Sequence, residues 1–242
     1  MHIAVLFHNI GGYHAARLRA AQEAFFERGW RLTAIQETES TNEHPWGNLN
    51  QEITFPLKTL VETASSLKKT KNSQSAYLRK NAAKHVPDCL TALQPDIIAL
   101  PGWSSLASKI ALKWAVRNQI PAILMSESKW NDDNRVWIKE KIKSVFYVKK
   151  FKSSLVGGSL HRDYLKRLNF SNEAIFEGYD VVDNDYFQRK SKHARSNRIA
   201  TLKQFPEIPH RPYFNAVSRF IPRKNILGLI NAFAMSFEIC VY

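Results

Sequence analysis

The sequence predicts an α/β protein built on a parallel β-sheet, and three observations point that way. Apolar runs of about four to six residues alternate with longer stretches of helical periodicity, the pattern of repeated βα units. Two Gly-Gly pairs, Gly11-Gly12 and Gly157-Gly158, each fall between such a run and such a stretch, although the chain has only nine glycines. Of the 242 residues, 44% are hydrophobic and 12% aromatic, which supplies a core and excludes a disordered or fibrous chain.

The elements follow in order. Ile3–Phe7 reads as a first buried strand, and Tyr13–Arg28, with Ala16, Ala20, Ala24 and Phe25 on one side, as the helix after it. Arg31–Ile35 is a second strand. Thr38–Gln51, holding Asn42, Pro45, Gly47 and Asn48, breaks the alternation and is expected to be a long loop. Ile97–Leu100 is a strand introduced by Pro95-Asp96 and followed by a helix over Ser104–Asn118. Ala122–Met125 and Ser154–Val156 are further strands, the last leading into a helix over Ser159–Leu168. The polar stretch Arg189–Arg198 marks a domain boundary, giving an N-terminal domain over residues 1–193 and a second segment over 194–242. Within that segment Tyr213–Val217 is expected to be a strand and Asn225–Ala234 a helix, the opening βα unit of a domain too short to stand alone.

Charge and cysteine content narrow the function. Thirty-five basic against 21 acidic residues leave a formal charge of +14. The surplus is clustered: seven basic residues lie between Lys58 and Lys84 with Glu62 alone opposing them, and ten between Arg135 and Arg167 against Glu140 and Asp163. Such clusters attract nucleotides, nucleic acids or an anionic membrane. For the first, a solvated helix face is the simpler reading. The second interleaves Val136, Trp137, Ile138, Ile142, Val145, Phe146 and Phe151 with lysines, as in an amphipathic helix that lies on a membrane or covers the sheet. Cys89 and Cys240 make no disulfide framework and no zinc spacing. The N-terminus lacks the basic and apolar regions of a signal peptide, and no apolar run is long enough to span a bilayer, so a reducing cytoplasm is the expected setting.

Several chemistries find no support. The eight histidines include no i,i+4 pair and no H-E-x-x-H, so no metal is expected. His161-Arg162-Asp163 lacks the asparagine a kinase catalytic loop needs at its eighth position, where Leu168 stands. There is no G-x-S-x-G and no G-x-G-x-x-G, which argues against a hydrolase of that type and a nicotinamide enzyme. Basic charge without an aromatic recognition motif leaves nucleic acid an unlikely partner. The glycine pairs are either plain tight turns or, as two pairs on one sheet edge, a phosphate or sugar site at helix N-termini.

Two segments carry a family resemblance. Glu177-Gly178-Tyr179-Asp180-Val181-Val182-Asp183-Asn184-Asp185-Tyr186-Phe187 resembles the N-G-V-D-…-F segment that ends the first domain of GT-B glycosyltransferases of the retaining, group 1 (family 4) type. Phe214-Asn215-Ala216-Val217-Ser218-Arg219-Phe220-Ile221-Pro222-Arg223-Lys224-Asn225, followed by Leu229-Ile230-Asn231-Ala232-Phe233, is similar to the G-R-L-v-p-x-K-G-…-L-I-x-A-f signature that opens the second. Gly11–Arg17 and Ser154–Leu168 are similar to one bacterial branch of the same family. The resemblance implies a GT-B fold: a Rossmann-like parallel-sheet N-terminal domain on the acceptor side, plus the beginning of a second Rossmann-like domain for the nucleotide sugar.

It implies that Arg219 and Lys224 hold the donor diphosphate, Arg as a fork and Lys as a point charge, and that Gly11 and Gly12 form the glycine-rich loop between donor and acceptor. No cofactor and no metal are implied, the nucleoside-diphosphate sugar being the co-substrate and a glycan, lipid or small molecule the acceptor. Candidate acceptor contacts are His14, Trp103 and Glu127; Trp103 stands in the Pro101-Gly102-Trp103 loop where many relatives carry a histidine, and its ring could stack on a sugar face. Ser218 and Asn225 replace two signature glycines, and the paired E-x7-E glutamates are not in the chain. The expectation is therefore a fragment of a transferase, ending within its second domain and inactive alone, placed in the cytoplasm or at the inner membrane face. The alternative is a non-catalytic module that binds an acceptor or an anionic membrane surface.

Overall fold

The computed structural model describes residues 1–39, 52–61, 71–209, 213–218 and 220–239. They group into two compact units, Met1–Asp185 and Tyr186–Tyr242.

The first unit is a doubly wound α/β layer. Seven strands, β1 (His2–Phe7), β2 (Arg31–Thr38), β3 (Leu57–Val61), β4 (Ile97–Leu100), β5 (Ala122–Ser126), β6 (Ser153–Val156) and β7 (Ile175–Glu177), lie in the order β3-β2-β1-β4-β5-β6-β7, every pair parallel. Parallel strands need crossovers, and the helices supply them: α1 (Gly12–Phe26), α2 (Lys71–Leu93), α3 (Leu106–Arg117), α4 (Trp137–Phe146) and α5 (Ser159–Arg167). Because side chains alternate along a strand, β1 feeds two cores. Ile3, Val5 and Phe7 pack with Ala15 and Leu18 of α1 on one face. Ala4 and Leu6 pack on the other with Val86 and Leu90 of α2 and Ala111 and Leu112 of α3. Both faces of the sheet are thus covered, which explains why its strands read as continuous apolar runs.

The second unit contains α6 (Asn184–Ser196, whose first two residues belong to the first unit), α7 (Arg198–Gln204), a short helical turn Pro222–Lys224 and α8 (Ile226–Ile239). The polar stretch Arg189–Arg198 is mostly helical, since Gln188, Arg189, Lys190, Lys192, Ala194 and Arg195 favour a helix and no glycine or proline interrupts them. One expectation changes here. Tyr213–Val217 is not a strand. A strand requires a neighbour for its backbone groups, and among the described residues none pairs with it; Phe214 and Val217 are exposed. The expected loop Thr38–Gln51 lies outside the described residues from position 40 onward, as does Arg219.

Candidate functional site

In the first unit the strand order reverses direction between β1 and β4, each of which is followed by a crossover to opposite sides. At such a switch point the loops beyond the carboxyl ends of the strands part and leave a crevice. A cleft of about 510 Å³ opens there, lined by residues including His8, Asn9, His14, Ser104, Glu127 and Tyr179.

The glycine pair shapes one wall. Gly11 is the N-cap of α1, and its backbone N–H donates to Nδ1 of His14 at 3.1 Å. That contact makes Nδ1 the acceptor, so the neutral ring carries its hydrogen on Nε2. The imidazole is held against the Phe7 ring with centroids 4.6 Å apart. A methyl group at Gly12 would meet only Glu52 Oε2 at 3.9 Å, so the residue is not demanded by crowding. The second pair, Gly157-Gly158, lies on the same edge after β6, with Gly158 capping α5. Here space is tight: a methyl on Gly157 would stand 3.1 Å from the His161 ring and 3.3 Å from Asp180 Cβ.

Opposite His14, His8 follows β1 directly. Its Nδ1 lies 3.1 Å from Oε2 of Glu37, whose side chain is fully buried. A carboxylate only accepts, so Nδ1–H donates and Nε2 of the neutral ring keeps its lone pair. That Nε2 atom is buried and has no protein partner among the described residues, while other atoms of His8 line the cleft. Such a dyad, a carboxylate orienting an imidazole in the wall of the cleft, leaves Nε2 as the ring's free base.

A charged cluster closes the β5–β7 side. Arg17 of α1 donates from Nη2 to Asp180 Oδ1 at 2.8 Å and from Nε to the Val181 carbonyl at 2.9 Å, and lies 5.0 Å from the centroid of the Tyr179 ring. Its Nη1 is 4.0 Å from Glu127 Oε1. Partial burial, then the nearby Asp180 carboxylate, raise the Glu127 pKa against the opposing pull of Arg17 and His161. Burial, reinforced by the Glu127 charge, pushes the Tyr179 hydroxyl up to about 12, so it remains a neutral donor.

Of the residues singled out from sequence, His14 and Glu127 line this cleft, and Gly11 and Gly12, at the start of α1, adjoin it through the bond from Gly11 to the His14 ring. Trp103 is placed differently: it is half-buried against the core and stacked on Tyr147, ring centroids 5.8 Å apart, and the cleft is lined by its neighbours Pro101, Ser104 and Ser105. Lys224 is exposed in the second unit, and the next residue, Asn225, has φ +47°. That is a left-handed conformation which glycine adopts freely and asparagine better than most others. His8, Glu37, Arg17 and Tyr179 carry the site's chemistry without having been singled out for it. Among the described residues no group of three or more His, Cys, Asp or Glu side chains is placed to hold a metal ion, and no helix is long and apolar enough to cross a membrane.

No family model and no curated protein matches the sequence. Solved structures match its fold. The UDP-GlcNAc 2-epimerase of Neisseria meningitidis, in a crystal structure bound to UDP-GlcNAc, superposes with TM-score 0.57 at 13% identity, over 86% of this chain and 54% of that one. A glycosyltransferase of Rickettsia africae superposes with TM-score 0.57 at 16% identity, over 97% of this chain and 57% of its own. The chain therefore spans about half the length of these structures. At such identities the likeness is one of fold: the Rossmann-like parallel sheet of GT-B proteins.

Proposed function

We propose that the chain belongs to a glycosyltransferase of the retaining, group 1 (family 4) type, and that the cleft of its first unit receives the acceptor of a sugar carried by a nucleoside diphosphate. The observation that carries this reading is the position of the motif segment Glu177–Phe187: its Tyr179 lines the cleft and its Asp180 is locked to Arg17 beside the first glycine pair. The left-handed Asn225, standing where the second-domain signature has glycine, supports it from the other unit.

In this reading His14 Nε2–H and the Tyr179 hydroxyl are donors for acceptor hydroxyls, and Glu127 is an acceptor. Arg219 and Lys224 would meet the diphosphate, whose negative charge grows as the sugar departs. No metal or other cofactor is called for, because these two cations would offset that charge. The His8–Glu37 dyad favours a second reading of the stereochemistry. A base that strips the attacking hydroxyl suits in-line displacement, which inverts the anomeric centre rather than retaining it.

The test is equilibrium binding of UDP, GDP and ADP to the full chain by calorimetry. At least one should bind, and Arg219→Ala or Lys224→Ala should weaken it by about 10- to 100-fold, the loss of one charged hydrogen bond. Failure of all three nucleotides to bind would overturn the proposal in favour of a non-catalytic module. In a longer protein that carries this chain and transfers a sugar, the anomeric configuration of the product, read by NMR, separates the two stereochemical readings.

A further inference from the structure

Helix α4 is built inside out. A helix on the surface of a globular protein turns its apolar stripe to the core and its charges to water. In α4 the buried residues are Glu140 and Ser144. Trp137, Ile138 and Phe146 are instead 70%, 62% and 58% exposed, and Ile142 and Val145 join them on the outside. Polar bonds hold the inner face: Glu140 accepts from Lys143 Nζ at 2.7 Å and from the Tyr164 hydroxyl at 2.6 Å, and Ser144 Oγ donates to the Leu168 carbonyl at 2.6 Å. The apolar residues of α4 therefore do little for the fold. Their exposure needs a reason outside it.

The charge around them says what kind of surface they meet. From Arg135 to Arg162 there are eight basic side chains and a single acid, Glu140, which is buried and already engaged. Lys139, Lys141, Lys149, Lys150 and Lys152 are exposed around the stripe, and Lys141 Nζ sits 5.2 Å from the centroid of the Trp137 ring. A second copy of the chain would set these cations against their own kind, at a cost. A nucleic acid would answer the lysines but leave Ile138, Ile142 and Phe146 in water. An anionic bilayer answers both, with headgroups for the lysines and an acyl boundary for the apolar stripe.

We infer that α4 is an in-plane membrane anchor: it lies on an anionic phospholipid surface with Ile138, Ile142, Val145 and Phe146 dipped into the boundary layer and Lys139, Lys141, Lys149, Lys150 and Lys152 among the headgroups. The helix begins just beyond the loop that follows β5, at the sheet edge where the cleft opens. Docking there brings the cleft to the membrane surface, so a substrate carried in the bilayer has a short route to it.

The experiment is co-sedimentation of the full chain with vesicles of phosphatidylcholine alone or with an equal part of phosphatidylglycerol, at low and high salt. The chain should bind the phosphatidylglycerol vesicles at low salt, leave them at high salt and ignore the neutral ones. Lys149→Glu with Lys150→Glu should weaken binding by at least about 30-fold, from roughly 1 kcal/mol per basic residue near the surface. Ile138→Ser with Phe146→Ser should weaken it at least about tenfold. Phe220→Ser with Leu227→Ser, at exposed positions of the second unit, should change nothing. The inference is overturned if anionic vesicles are not bound, or if only the Phe220 and Leu227 changes release them. It also fails if both the Lys149–Lys150 and the Ile138–Phe146 variants bind as the parent does, or if sedimentation velocity shows a dimer that the Ile138 and Phe146 changes dissolve. None of these readings depends on nucleotide binding, so the inference stands or falls apart from the transferase proposal.

Discussion

If α4 is held by polar bonds rather than by apolar packing, removing one carboxylate should loosen it, and Glu140→Ala is the decisive change. The Glu140 side chain is 8% exposed and takes hydrogen bonds from Lys143 and Tyr164, with Arg135 Nη1 at 3.8 Å. A hydrogen bond to a charged group contributes about 1.5–3 kcal/mol. Lys143 is 28% exposed and can return to water, so little is lost with it. Tyr164 is buried, and Arg135, only 10% exposed, would face a cavity in place of an anion. The cost should be about 2–4 kcal/mol, near the low end for breaking a buried pair. For a unit of this size that lowers Tm by roughly 5–15 °C. Tyr164→Phe should cost less, and a double-mutant cycle with Glu140→Ala should return a coupling of about 1–3 kcal/mol.

The same carboxylate makes this stability depend on pH. Burial alone raises the Glu140 pKa, but hydrogen bonds from Lys143 and Tyr164 and the charges of Lys143 and Arg135 outweigh it and leave it below its ordinary value of 4.5. A lowered folded pKa means stability that is present above 4.5 and lost as pH falls through the folded value. Thermal melts followed by circular dichroism should therefore show parent and Glu140→Gln well apart near neutrality and converging in acid. A Glu140→Ala protein whose Tm stays within a degree or two of the parent, or a gap equal at both pH values, would refute the polar attachment of α4.

Other expectations concern the cleft. His8→Ala strips the buried Glu37 carboxylate of its ring partner and should cost about 2–4 kcal/mol in urea denaturation, whereas Glu37→Gln, which keeps a hydrogen-bonding side chain, should cost less. Glu127 has a raised pKa, so its ionisation on going from acid to neutral pH costs stability; Glu127→Gln should match the parent in acid and melt at a higher temperature at neutral pH. Gly157→Ala pushes a methyl onto the His161 ring and should destabilise by about 1 kcal/mol. Gly158→Ala meets nothing within 4 Å and should be nearly neutral, which thermal melts of the two variants will compare.

Much of the sheet was legible because its strands are buried on both faces and so read as unbroken apolar runs: β1, β2, β4, β5 and β6 fall where expected. The misses have physical causes. The solvated helix face expected for the first basic cluster is the outer side of α2, where Arg79, Lys80 and Lys84 are exposed; its inner side, Leu78, Ala82, Val86 and Leu90, keeps a helical spacing and is buried, but the charges between them and Pro87 inside the helix mask that period. β3 and β7 lie at the sheet edges, where one side has no strand neighbour and burial is partial, so their apolar signal is weak. Among site residues, His14 and Glu127 were visible because they sit next to a glycine pair and just beyond a strand end. The His8–Glu37 dyad was not. It arises from parallel pairing in which Phe7 is opposite Gln36, so that the next residues on each strand come side by side. That register exists only once β1 and β2 are paired, and nothing local to either residue announces it.

Helix α4 shows a different kind of limit. Its sequence displays two faces clearly: Ile138, Ile142, Val145 and Phe146 on one, Glu140 and Ser144 on the other. Periodicity states that a helix is amphipathic but not which side is inward, and the ordinary assumption assigns the apolar side to the core. What decides the matter here lies elsewhere in the chain. Tyr164 and Arg135 bring a donor and a charge that Glu140 can satisfy, and the Leu168 carbonyl accepts from Ser144. With its polar face paired inside the fold, the helix can leave its apolar face outside at little cost in buried unsatisfied groups. An inverted helix of this kind is stable only while that pairing lasts, which is why the same Glu140 change that tests the fold should also weaken the membrane contact.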